Sequence, residues 1–333
     1  MSDTIDQGVT LLRNGGVVAF PTETVYGLGA DATNLKAVRR VFTVKGRPAT
    51  NPVIVHVADA SAAKRYTAAW PLSATQLTEK FWPGPLTIIL PKSDVIVTAA
   101  TAGRKTVGLR SPDHPLTLEL LRQFDGPVIG PSANRSSRVS PTTADDVREE
   151  LGSKIDLVLD GGACKVGIES TVLDLSVTPP MILRHGAITK WQIEQVIGPV
   201  EVFGGTIPAG QSAPAPGMQG AHYAPATPTY RFERKHADRV AGWCNKNPAK
   251  AAIIIRLGSA PADDPIPLSL SMNQRQVIMP PKPVEYARHL YATLRHSDRQ
   301  NPVAMWLEMP PDESQWLAVR DRLMRATRLP PQV

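Results

Sequence analysis

A chain of 333 residues, 42% hydrophobic and 20% charged, is long enough for two separately cored domains and too apolar for a disordered chain, yet it has no run of about eighteen apolar residues that would span a membrane. Two cysteines, Cys164 and Cys244, exclude a disulfide framework and a CxxC metal site, and the seven histidines form no HxH or HExxH pair, so no protein-held metal is expected. The net charge of +7 sits mostly in the last third, where sixteen Lys and Arg face ten Asp and Glu from Thr229 onward; this suits nucleic-acid contact, or merely arginine-rich solvated helix faces.

The N-terminal stretch MSDTIDQGVTLLRNGG carries acids and no apolar leader, so a cytoplasmic protein is expected. Residues 5–14 have the pattern of a short helix closed by Gly15 and Gly16, and residues 17–20 that of a buried strand. Next, Gly27-Leu28-Gly29-Ala30-Asp31-Ala32 fits GxGxxA ahead of a helix, as a dinucleotide-binding bend does. In a true dinucleotide loop the first glycine follows its strand directly, whereas PTETVY intervenes here. Asn34 caps a helix with apolar Leu35, Val38, Val41 and Phe42, which ends in the elbow Lys45-Gly46-Arg47-Pro48.

Strands are expected at 52–57, 86–90, 107–110, 127–130, 155–159, 171–175 and 181–184, and helices at 72–81, 116–124, 142–151 and 189–197. This mixture predicts an α/β domain over residues 1–205 with a twisted, open mixed sheet. Five prolines between Pro208 and Pro228 then mark residues 206–228 as an extended linker, in which Met218, His222 and Tyr223 are odd for a spacer. Strands at 251–257 and 302–307 with helices at 284–295 and 313–326 predict a smaller C-terminal α/β domain, Rossmann-like, over 229–333.

Lys45 and Arg47, two cations on a stiffened elbow, suit a polyphosphate, though they could equally cap the preceding helix. Arg110 closes one expected strand, Ser132 and Asn134 follow another and Arg184 ends a third. Open α/β sheets bind ligands at such strand ends, so a common polar rim is expected. Covalent catalysis is disfavoured: Ser132 lies in GPSAN without a GxSxG elbow, Ser170 has no histidine at a recognisable spacing, and Glu23 and Glu169 are isolated carboxylates.

The ordered motifs FPTETVYGLGADA, KGRPATNPVIVHV, FWPGPLTIIL, VGLRSPDHP, PSANRSSRVSPT, DGGACKVGIESTVLDL and ILRHGAI resemble the YrdC-type threonylcarbamoyl-AMP synthases over about residues 10–200, and APGMQGAHYAP with the domain beyond it resembles their longer, two-domain form. The resemblance implies an ATP-using nucleotidyltransferase that joins L-threonine and bicarbonate into threonylcarbamoyl-AMP with release of pyrophosphate, the first step of a tRNA modification. A separate transferase would complete that step. It also implies Mg²⁺ held mainly by ATP phosphates and water, no membrane, and room for direct tRNA contact.

By the same resemblance the catalytic tetrad falls on Lys45, Arg47, Ser132 and Asn134. ATP contacts fall on Arg47, Asn51, Thr106, Ser132, Ser140 and Arg184, with Tyr223 of the linker closing over the nucleotide. Threonine contacts fall on Thr24, His56, Arg110, the backbone near Gly130, and Ser170. One departure stands out: Ser137 replaces a common family glycine, at a cost of about 1 kcal/mol if the position needs a positive φ. The alternatives are a related domain of the carbamoyltransferases, whose acylphosphatase and zinc-finger segments are missing, and a non-enzymatic binder of double-stranded RNA or tRNA.

Overall fold

The structure is a computed structural model that describes residues 2–205, 213–218, 223–258 and 270–330. The chain forms two compact units, Met1–Ser136 with Ser140–Gly220, and Ser137–Val139 with Ala221–Val333. Among the described residues no helix is long and apolar enough to cross a membrane.

The first unit opens with α1 (Ser2–Arg13), β1 (Val18–Phe20), β2 (Gly27–Asp31), α2 (Leu35–Lys45), β3 (Ile54–His56) and α3 (Ala60–Lys64). It continues through α4 (Leu72–Phe81), β4 (Leu86–Pro91), β5 (Thr106–Arg110), α5 (Pro115–Phe124), β6 (Val128–Ile129), α6 (Ala144–Leu151), β7 (Leu157–Val158), β8 (Thr171–Asp174), β9 (Met181–Arg184), α7 (Lys190–Ile197) and β10 (Glu201–Val202). The strands form one mixed sheet in the order β10-β9-β8-β4-β5-β3-β6-β2-β1-β7. Local chemistry sets the helix ends: the Asn34 side chain accepts from the Lys36 and Ala37 amides, Thr143 and Asp146 form a reciprocal capping box, and Gly46 closes α2 at φ 59°.

The GxGxxA pattern, already set against a dinucleotide loop by the intervening PTETVY, is no bend. Gly27-Leu28-Gly29 is strand, with Phe20↔Gly27 and Val18↔Gly29 as antiparallel partners. The glycines are there for packing, since a Cβ on Gly27 would come within 2.6 Å of the Phe20 ring.

Strand alternation sorts the sheet's residues into two faces. On one, Leu28, Val55, Val107, Leu109 and Ile129 join Val38 and Val41 of α2 and Val147 of α6, and farther along Leu86, Ile88, Leu173 and Ile182 join Leu77 of α4 and Ile193 of α7. On the other, α1 and α5 cover Val18, Phe20 and Val128, whereas Ile89, Val172 and Leu183 are covered by linker residues Ala213, Ala215 and Met218. Ile54 and His56 of β3 belong to this second face, as do their register partners Gly108 and Arg110 of β5. A strip of polar residues lies here, between the helical cover and the segment 213–218.

The second unit contains β11 (Thr229–Phe232), α8 (Ala237–Lys246), β12 (Ala252–Leu257), β13 (Gln274–Met279), α9 (Pro283–Arg299), β14 (Ala304–Glu308) and α10 (Leu317–Ala326). All strand pairings are parallel, in the order β11-β14-β12-β13, so the last strand inserts between the first two. Strands β11 and β13 and helix α8 were not among the expected elements. Glu308 and Arg256, at strand ends, form a buried ion pair at 3.2 Å.

Candidate functional site

The expected common rim does not form. Strand β6 runs antiparallel to β3, which is parallel to β5, so Ser132 and Asn134 leave by the edge opposite to Arg110 and His56. Polar groups instead gather along one face of the sheet.

At its centre Arg110 is 4% exposed. Its Nε donates to Gly84 O at 3.1 Å and its Nη1 to Thr24 Oγ1 at 2.9 Å. Nη2 stands 2.7 Å from Glu23 Oε2, too close for anything but an ion pair, yet off hydrogen-bond alignment. Glu23 Oε2 also accepts the Asp113 amide at 3.1 Å. Glu23, left isolated by the sequence reading, is therefore the counter-charge of the expected threonine-binding arginine. Only the tertiary fold brings together two residues 87 positions apart.

His56 packs edge-on against Phe20 at 5.3 Å between centroids. Gly130 is equally close: a Cβ there would fall 2.5 Å from His56 Nδ1. Burial, and then the Arg110 cation, hold the imidazole pKa well below 6.5. A depressed folded value means that the unfolded chain binds the extra proton, so this contribution to stability is full above about pH 6.5 and is lost as pH falls toward the folded pKa. Over that window the wild type should lose up to about 1.4 kcal/mol per pH unit more than His56→Gln; parallel urea melts between pH 7.5 and 4.5 check this, and equal slopes would refute it.

Beside this group, Ser170 Oγ shares a hydrogen bond with Thr87 Oγ1 at 2.8 Å. Arg184 donates from Nε to Ser170 O at 3.0 Å and from Nη2 to Ser170 Oγ at 3.1 Å. The remaining Arg184 nitrogen, Nη1, reaches Pro216 O at 3.0 Å, while Arg104 Nε reaches Ala213 O at 2.9 Å. Two arginines thus clamp the linker segment 213–218 by its carbonyls. Arg104 and Thr87 were missed, as neither stands out from its neighbours in sequence. Beneath Pro214 and Pro216, with Ile54, Thr87 and Thr106 among the lining, the cavity is about 10 Å³, room for roughly one water.

Lys45 is buried, and its ammonium donates to the carbonyls of Ser132 and Asn134. Ser136 N returns a bond to Lys45 O at 2.7 Å. Arg47 bonds Asn51 O at 3.1 Å and Pro52 O at 2.6 Å. Lys45 thus holds the PSAN loop, and Arg47 braces its own elbow. Burial and then the Arg47 cation lower the Lys45 pKa well below 10.5, against a pull from Glu150. Ser140 Oγ donates to Glu169 Oε1 at 2.7 Å.

Ser137 adopts φ 68°, the conformation its place in the motif put in question, with the strain that a side chain brings there. Of the expected residues, Thr24, His56, Arg110 and Gly130 come together, as do Ser170 and Arg184, and likewise Lys45, Ser132 and Asn134. Tyr223 belongs to the second unit, where its ring stacks on Tyr291 at 5.7 Å with the Arg322 guanidinium 5.6 Å from its centre. His222 lies outside the described residues.

The Sua5/YciO/YrdC family, described as telomere recombination, matches residues 10–186, and the threonylcarbamoyl-AMP synthase C-terminal domain matches residues 188–327. The threonylcarbamoyl-AMP synthase of Pyrococcus abyssi is 39% identical over 327 residues, 95% of this chain and 92% of its own length. That of Bacillus subtilis is 49% identical over 225 residues, 67% of this chain and 65% of its own. The crystal structure of P. abyssi Sua5 complexed with L-threonine matches with a TM-score of 0.87 at 37% identity, covering 97% of this chain and 94% of that one. The chain is thus a member of the threonylcarbamoyl-AMP synthase family of ATP-using transferases, in the form that carries a C-terminal domain.

Proposed function

We propose that this chain makes L-threonylcarbamoyl-AMP from L-threonine, bicarbonate and ATP, with release of pyrophosphate, as the first step of tRNA threonylcarbamoyladenosine modification in the cytoplasm. The observation that carries the reading is the buried Glu23–Arg110 pair with Thr24 at its side, a matched set of opposite charges suited to a small zwitterion. The P. abyssi relative crystallised with L-threonine supports the choice of amino acid.

Threonine's amine and bicarbonate form a carbamate, whose oxygen attacks the α-phosphorus as pyrophosphate leaves. Both partners are anions, so the protein's task is to offset their repulsion and hold them in line. Arg110 takes the amino-acid carboxylate; Thr24, His56, Ser170 and the backbone near Gly130 complete that side. Lys45, Arg47, Asn51, Thr106, Ser132, Asn134, Ser140 and Arg184 serve ATP. Among the described residues no three His, Cys, Asp or Glu side chains could hold a metal ion, so Mg²⁺ is read as entering with the nucleotide on phosphate oxygens, where it would screen the triphosphate charge. A separate transferase takes the product onward, with direct tRNA contact open to the basic C-terminal third.

Purified protein with Mg-ATP, L-threonine and bicarbonate should release pyrophosphate and form the adenylate adduct. Turnover that continues without threonine or without bicarbonate would overturn the assignment.

The linker serves as a cover that keeps water from a hydrolysable product. A cavity of about 10 Å³ beneath Pro214 and Pro216 cannot admit a nucleotide, so the segment lifts for ATP to reach Thr106 and settles again afterwards. Deleting residues 213–218 should speed ATP dissociation about 10-fold or more while threonine affinity changes less, given that ordered lids commit bound substrate. Calorimetry and stopped-flow release measure both, and equal losses would count against the cover.

A further inference from the structure

Hydrogen-bond bookkeeping around Arg110 leaves a definite pattern of unmet groups. Thr22 Oγ1 lies 2.6 Å from Val25 O, and a carbonyl can only accept, so the Thr22 proton is spent there. Thr22 Oγ1 also accepts the Thr24 and Val25 amides at 3.1 and 3.2 Å, which fills its two lone pairs, so the contact with Thr24 Oγ1 at 2.8 Å does not commit the Thr24 proton. Thr24 Oγ1 accepts from Arg110 Nη1. Glu23 Oε1 and Arg110 Nη2 are both buried without a hydrogen-bond partner. Thr24 and Glu23 engage adjacent nitrogens of one guanidinium, so these groups border the same few ångströms of space. The unmet groups are one acceptor, Glu23 Oε1, and one donor, Arg110 Nη2.

A lone carboxylate ligand would satisfy the donor and leave Glu23 Oε1 facing a like charge. An α-amino acid satisfies both, its carboxylate on Arg110 and its nitrogen on Glu23. Buried polar groups left unmet cost free energy comparable to a lost hydrogen bond, and more when charged. We propose that Glu23 is the residue that recognises the α-nitrogen of the amino-acid substrate, its Oε1 accepting an N–H. The inference rests on the threonine reading above and extends it. The nitrogen keeps an N–H as a carbamate, so the same contact holds it through the step that precedes adenylation.

The test compares L-threonine with (R)-3-hydroxybutanoate, which is threonine with hydrogen in place of the amine, by calorimetry on the full chain. In Glu23→Gln the amide oxygen stays toward Arg110 and the Asp113 N–H, which puts an NH₂ where Oε1 was, donor against donor. Threonine affinity should fall about 30-fold or more while the analogue's stays within about 3-fold, as befits a site built to hydrogen-bond one group. Equal losses for both ligands would mean that Glu23 is only the counter-charge of Arg110, and would overturn the proposal. A second measurement needs no variant: the wild type should prefer threonine to the analogue by about 100-fold, and equal affinities would overturn it too. A wild type that ignores both ligands would instead remove the threonine reading itself.

Discussion

Replacing Lys45 with alanine should lower the synthase rate by about 100-fold or more. Its ammonium donates to the carbonyls of Ser132 and Asn134, and charge-assisted hydrogen bonds contribute about 1.5–3 kcal/mol each. Losing both leaves two carbonyls of the PSAN loop unmet and removes a cation from beside the expected triphosphate. The main-chain bond from Ser136 to Lys45 survives the substitution, so the loop should loosen rather than unfold. Pyrophosphate release at varied ATP, with a thermal melt alongside, checks this: a large loss of kcat with a Tm lowered by about 6–20 °C fits, whereas full rate would refute the role. Lys45→Arg should not rescue, because a planar fork cannot replace a compact ammonium aimed at two carbonyls.

Arg110→Ala should destabilise the first unit by about 3–5 kcal/mol, since it strands the Glu23 carboxylate in a buried site. Both side chains are about 5% exposed or less, so water cannot make up the loss. Threonine binding should disappear with it. The double variant Glu23→Ala/Arg110→Ala should recover part of the stability, because neither charge is then left unpaired, but none of the threonine binding. Urea melts of the four proteins complete the cycle, and a double variant less stable than Arg110→Ala would contradict the pairing.

Much of this molecule was legible in the residue order. Periodicity located α4 and β9 to the residue, and Asn34 and Thr143 announced their helices by their own hydrogen-bonding chemistry, because these signals act over a few neighbouring positions. The motif raised the question of a positive φ at Ser137, and the structure answers it at 68°. Local reasoning fell short where long-range packing set the outcome. Spacing argued against a phosphate-binding bend at Gly27 and Gly29, but only the fold shows the strand fitted under the Phe20 ring that they form instead.

The site divides along the same line. Motif spacing picked out Lys45, Arg110 and Arg184 as chemically apt, for the types of residue are visible in the sequence. Only the tertiary structure decided what each one touches: Lys45 holds a loop 87 residues away by its carbonyls, Arg184 clamps Pro216, and Glu23 turns from an isolated acid into the partner of Arg110. Strand direction decided it as well, since an antiparallel β6 sends the Ser132 loop off the opposite edge from Arg110. The physical reason is range: caps, turns and periodicity are written within a helical turn or two, whereas the pairing of buried charges depends on which strands the whole sheet sets side by side.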